Sequence, residues 1–282
     1  MGELIGKAIS TLANQADHTY VECGTTQCAW GCWGRKAGGR ALRSGPASTK
    51  RAEKIAQPDE RANIKCYLVN GVCHQAANRI LLPAAITVRG ARGYGISEAL
   101  FGVYGRVGVF PCHGPFNRYS SVSGDLPECI PRVPARPTGV QGLTDAARLD
   151  WLYIRSVVAL YDQAEDVAGR LGAIEPGSFE MTLFMHMAEF RLGPALDGKL
   201  AARLRSRRMR VERRRRPLEQ AWREGAIRPR EFVDGINEVT EQFQEDMANL
   251  MTPIQYKDMF ELDPDERVVL ADEEIVQREM LD

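Results

Sequence analysis

The pattern of apolar and polar positions divides the chain into two unlike halves. From Asp17 to Cys23 it alternates every second residue, with His18, Tyr20 and Glu22 on one side and Thr19, Val21 and Cys23 on the other, which predicts a strand. Gly24 to Gly34 continues with a polar, glycine-containing turn and a run holding two tryptophans, the pattern of a hairpin. Ile64 to Val69 has the β-branched and aromatic content of a further strand, Asn70-Gly71 supplies a turn, and the helix that follows ends at Pro83. Around these elements the signals are weaker. Gly2 to Ala16 reads as a short helical opening segment, Arg35 to Ser48 as an exposed loop, and Ala52 to Ile64 as a helix interrupted at Pro58. Ala85 to Arg89 reads as another strand, and Gly90 to Gly108 is punctuated by glycines too irregularly for a nucleotide-binding fingerprint.

Pro111 to Pro137 is rich in proline and short polar residues and reads as an extended wrap and a linker. From about Thr144 the period changes to that of helices, predicted over Asp145 to Leu171, Ser178 to Leu192, and Ala195 to Arg216 with a continuation past Pro217 to Glu224. Two more are predicted over Arg228 to Met251 and Ile254 to Phe260. Thr144-Asp145 and Ser178 stand as N-caps, and Gly172, Gly193 and Gly225 stand where helices stop. The predicted fold class is α+β: a small antiparallel sheet with a helix that carries a cysteine at its start, then an all-α region. The expected division is a cysteine-rich domain over 1–135, a linker over 136–144 and a helical domain over 145–282.

Composition adds two constraints. No apolar run approaches the roughly 18 residues needed to span a bilayer, and Met1 to Leu12 lacks the pattern of a signal peptide, so a cytoplasmic address and reduced thiols are expected. All seven cysteines fall between Cys23 and Cys129, which separates that half chemically from the rest. The formal net charge is zero, yet basic residues crowd Lys199 to Arg216 and acidic ones crowd Glu261 to Asp282.

Cysteine catalysis needs a thiolate, a base and donors for the oxyanion. Cys73 falls in a predicted first helical turn, where unpaired N–H groups and the helix dipole favour a thiolate; the alternative is a small buried apolar residue. Of four histidines, His74 points about 100° away from Cys73 around the helix and His186 lies in the helical half. His113 sits among prolines. His18 heads the first alternating strand, which places it best.

His18-Thr19-Tyr20-Val21 on an early strand, a hairpin through Trp30 to Gly34, and Cys73 opening a helix in Asn70-Gly71-Val72-Cys73-His74 together resemble the circularly permuted papain-type fold. That group includes NlpC/P60-related hydrolases and lecithin:retinol acyltransferase-like enzymes. The resemblance covers residues 10 to 110; the acyltransferases' Asn-Cys-Glu-His-Phe signature is absent, and a Cys-His pair stands in its place. It implies Cys73 as nucleophile and His18 as base, acting through a covalent thioester on an amide, ester or thioester bond. The substrate would be a peptide, amide or acyl compound, with no cofactor. His113 is the alternative base, and Glu22 and Gln27 are candidates for a third, orienting group.

A non-enzymatic binding module is the competing reading, with Cys23, Cys28 and Cys32 joining Cys66, Cys112, His113 or Cys129 around zinc. The helical half is expected to serve interaction, through a protein partner or self-association. Its arginine run lacks the interleaved aromatics that stack bases, which argues against nucleic acid. Leu183, Phe184, Met187, Phe190 and Leu192 are read as core. The arginine helix is too charged to be buried all round, so much of it is expected to face solvent or an acidic surface, with the stretch Asp263 to Glu274 as the candidate match.

Overall fold

The structure is a computed structural model that describes residues 2–12, 14–24, 28–31, 33–62, 67–105, 145–171 and 177–278. The sheet has four antiparallel strands in the order β3-β2-β1-β4: β1 (Gly2–Ile9), β2 (His18–Cys23), β3 (Ala29–Trp30) and β4 (Arg40–Ala47). β1 buries Leu4, Gly6 and Ala8 on alternate positions, as a strand with one covered face must. The opening segment is therefore a strand, not a helix: pairing with β2 and β4 on its two sides outweighs a local sequence with little β preference. Arg40–Ala47 is likewise an edge strand rather than a loop, with Pro46 tolerated because an edge has free positions.

Helix α1 (Thr49–Ala62) runs without a break at Pro58, and α2 (Cys73–Leu81) packs on β2. The predicted strand at 64–69 is only half within the described residues; there, Tyr67–Asn70 make a tight turn closed by Leu68 N–H donating to the Gly71 carbonyl at 2.8 Å. Ala85–Arg89 is irregular rather than a strand, and the glycine-punctuated stretch contains a helix, α3 (Tyr94–Phe101).

The remaining helices follow the predicted periodicity: α4 (Asp145–Leu171), α5 (Ser178–Leu192), α6 (Gly198–Arg223, unbroken at Pro217), α7 (Pro229–Leu250) and α8 (Pro253–Phe260). A short α9 (Glu273–Arg278) follows. The N-cap of α5 is Gly177, one residue before the serine expected there. The expected linker at 136–144 lies outside the described residues. The largest apolar cluster joins both halves: Tyr67, Val72, Ile96 and Phe101 pack with Phe184, Phe243, Phe260 and Val268. No helix among the described residues is long and apolar enough to cross a membrane.

The arginine helix is matched within the fold. Arg208 and Arg215 are buried; Arg208 donates to the Ala99 and Leu100 carbonyls at 3.0 and 2.9 Å, and Arg215 to Leu100 at 2.8 Å. They thus cap the C-terminal end of α3, where helix geometry leaves carbonyls without partners and the dipole favours cations. Glu212 pairs with both arginines and Glu219 with Arg215. On the outer face Arg210 meets Asp246 and Arg214 meets Glu238, both on α7.

Candidate active site

The site is built on α2, a helix buried along its length beyond Cys73. Its polar side chains are satisfied by the backbone of surrounding segments. Gln75 Oε1 accepts from Val72 N–H at 3.0 Å and its Nε2 donates to the Gly102 carbonyl at 3.1 Å. Asn78 bridges the Val88 N–H and the Val103 carbonyl at 2.9 and 2.8 Å, and Arg79 donates to Tyr104 at 2.7 Å. These bonds fix the helix against the loop ends on both sides and leave its first residue, Cys73, half-buried at the head of β2. Gly71, at φ 146°, is required there: a Cβ would lie 2.7 Å from Gln75.

The Cys73 thiol donates to the Asp17 carbonyl at 3.8 Å, and beside it, lining one cavity with it, stands His18, which opens β2. Its Nε2 lies 2.8 Å from the Arg35 carbonyl oxygen, so Nε2 carries the proton and Nδ1 is left for the thiol. The orienting group is thus a backbone carbonyl. Neither expected side chain fills that role: Glu22 accepts from Tyr20 and pairs with Lys7, and Gln27 lies outside the described residues. Gly34, at φ 84°, closes the other side, where a Cβ would sit 2.9 to 3.2 Å from three atoms of the His18 ring.

The Thr19 N–H donates to Cys73 Sγ at 3.4 Å. Burial alone would keep Cys73 a neutral thiol, but the hydrogen bond and charge of His18, with the Thr19 N–H, outweigh it and lower the thiol below its ordinary range. Burial likewise opposes the imidazolium, yet Cys73, the Arg35 carbonyl and Asp272 raise His18 above its ordinary value. The two shifts run in the directions that a thiolate–imidazolium pair requires.

His74 does different work. Its Nε2 donates to the Asp17 carbonyl at 2.9 Å and its Nδ1 meets the Ser97 hydroxyl at 2.8 Å. Burial pushes its pKa down to about 4, so it is neutral near pH 7 and ties α2 to the head of β2 and to α3. The Asp17 carboxylate pairs with Arg40 at 2.9 Å and accepts the Arg92 N–H at 3.0 Å, which anchors the residue before His18.

A cavity of about 60 Å³ opens beside Cys73 and His18, lined also by Gln15, Tyr67, Leu270 and Asp272. Tyr67 and the segment around Leu270 were not singled out from sequence; they lie far apart along the chain and meet only through folding. Burial first, then the nearby Cys73, hold the Tyr67 phenol protonated well above its ordinary range, so it remains a donor. His186 stands apart, in contact with Ser156 at 2.7 Å and stacked on Tyr153. His113, Cys32, Cys66, Cys112 and Cys129 lie outside the described residues. Among the described residues, no group of three metal-ligating side chains comes together.

No family model matches the chain, and no curated protein or solved structure matches it.

Proposed function

We propose that the protein is a cysteine-dependent hydrolase or acyltransferase that cleaves an amide, ester or thioester through a covalent thioester on Cys73. The observation that supports this best is one cavity lined by Cys73, at the first position of α2, and by His18, whose Nε2 is held by the Arg35 carbonyl. The thiolate attacks the substrate carbonyl, a sulfur–carbon bond forms, and the N–H groups of the first turn of α2 stabilise the oxyanion. The bond to the leaving group then breaks as His18 gives up its proton to it. Water or a second nucleophile attacks the thioester and gives its proton to His18, and the acyl product is released as the sulfur–carbon bond breaks and the Cys73 thiolate returns.

The test is hydrolysis of a p-nitrophenyl ester together with iodoacetamide labelling mapped by residue. Cys73→Ala is expected to lower hydrolysis by about 10³-fold or more while circular dichroism and the melting temperature stay near wild type. Cys73 should label well faster than Cys28, which is similarly half-buried, at pH values below the ordinary thiol range. If the two label at equal rates, or if the alanine variant keeps its activity, the proposal is wrong.

A further inference from the structure

The segment from Val268 to Asp272 reaches the dyad from the far end of the sequence, and backbone hydrogen bonds hold it on two sides. Val269 N–H donates to the Asn14 carbonyl at 2.7 Å and its own carbonyl accepts from Ala16 N–H at 3.0 Å, a strand-like pairing just before β2. On the other side the Tyr67 hydroxyl donates to the Leu270 carbonyl at 3.1 Å and accepts the Asp272 N–H at 2.8 Å. Asn237 of α7 accepts the Ala271 N–H at 3.2 Å. With Val269, Leu270 and Ala271, the strap brings Asp272, its one ionisable residue, to the lining of the cavity shared with Cys73 and His18.

We propose that Asp272 is a positioning residue of the site, whose charge across the cavity keeps His18 protonated while the sulfur reacts; this rests on the reading of Cys73 and His18 as a thiolate–imidazolium pair. The need for such a charge follows from the chemistry. When the sulfur–carbon bond forms, the sulfur loses its negative charge and the imidazolium loses its counter-ion, at the moment when it must still hold a proton for the leaving group. A carboxylate in the same cavity lining covers that interval.

The other groups around His18 cannot supply it. His74 is neutral near pH 7 and Tyr67 keeps its proton. The Asp17 carboxylate is engaged by Arg40 and the Arg92 N–H, and Arg35 contributes its carbonyl. Asp272 accepts only the Glu274 N–H at 2.9 Å, and among the described residues no lysine or arginine pairs with it. Its charge is the last and smallest of the causes that raise His18.

The test is the titration of His18 by NMR in the full chain labelled with ¹³C at histidine Cε1, which is tractable because the sequence holds four histidines. Asp272→Asn is isosteric and keeps an oxygen for the Glu274 N–H, so the strap stays in place. It is expected to lower the His18 midpoint by about 0.5 to 1 pH unit, as loss of one charge across a partly solvated cavity should. For an amide substrate, whose leaving amine needs that proton, the alkaline limb of hydrolysis should move down with it, and Asp272→Glu should restore most of both. Tyr67→Phe, which removes both hydroxyl bonds to the strap, should shift the midpoint in the same direction by less. If Asp272→Asn leaves the midpoint within about 0.2 units of wild type, or Asp272→Glu shifts it as far as Asp272→Asn does, Asp272 is only a wall residue and the proposal is overturned. A wild-type His18 that titrates below its ordinary value would instead overturn the thiolate–imidazolium reading on which this one stands.

Discussion

The sheet-and-α2 region and the helical region both hold buried polar side chains on backbone carbonyls, and they differ in whether a counter-charge is added. Around α2 the partners are backbone atoms: His18 bonds the Arg35 carbonyl, His74 the Asp17 carbonyl, Arg79 the Tyr104 carbonyl. In the helical region charged side chains answer one another, with Glu212 between Arg208 and Arg215 and Glu219 beside Arg215. A backbone partner orients a side chain without neutralising it, whereas an ionic partner cancels the charge. The first region therefore orients these side chains through the backbone, and the second, which holds far more charge, adds a counter-charge to its own.

The sharpest way to break this contrast is Glu212→Ala. It leaves Arg208 and Arg215 buried without their shared counter-ion and should cost about 3 to 5 kcal/mol, measured as a lower urea midpoint. The folded fraction should still label at Cys73 at the wild-type rate; a changed rate would mean that the two regions are not chemically separate.

Next in size is the acid limb of stability. His74 titrates near its ordinary 6.5 when unfolded and at about 4 when folded, so between those values the unfolded chain binds the extra proton. Stability should therefore be intact above about pH 6.5 and fall on acidification toward pH 4, by about 3 kcal/mol in all. Urea midpoints at several pH values check this. In His74→Gln, which can still donate to Asp17 but does not titrate, the dependence over that window should flatten, and an unchanged slope would assign it to other groups.

The smallest expected effect is that of Gly34→Ala, which forces a left-handed backbone on a residue with a Cβ and presses that Cβ on His18. A cost of about 1 to 2 kcal/mol is expected, with a several-fold slower labelling of Cys73 as its signature. Lost stability with unchanged labelling would show that the imidazole moves aside without consequence.

What the sequence disclosed depended on the range of the signal. Cys73 at a helix start and His18 at a strand head were legible because turn residues and alternation are local properties. β1 was not: Gly2–Ile9 has little β preference of its own and is made a strand by partners on both sides. α3 was hidden by its glycines, of which Gly95 is needed for contact, since a Cβ there would lie 2.7 Å from the Phe260 backbone. The Arg35 carbonyl has no side-chain signature at all. Arg208 and Arg215, seven apart with Glu212 between them, did carry a readable pattern of one helical face, which the density of neighbouring arginines masked. The acidic stretch answers other cations than those of α6: Asp263 pairs with Lys257 and Glu266 with Arg92.

The bonds between Tyr67 and the strap, which span 203 and 205 residues, also govern when the site is complete during synthesis. Ribosomes add about 5 to 20 residues per second, so about 10 to 40 seconds separate the making of the turn before Cys73 from that of Leu270 and Asp272. Over that interval the cavity has no far wall, and Tyr67 and Val72 lack the later helices that bury them. The cavity beside Cys73 is therefore closed only by residues that the chain receives long after Cys73 itself.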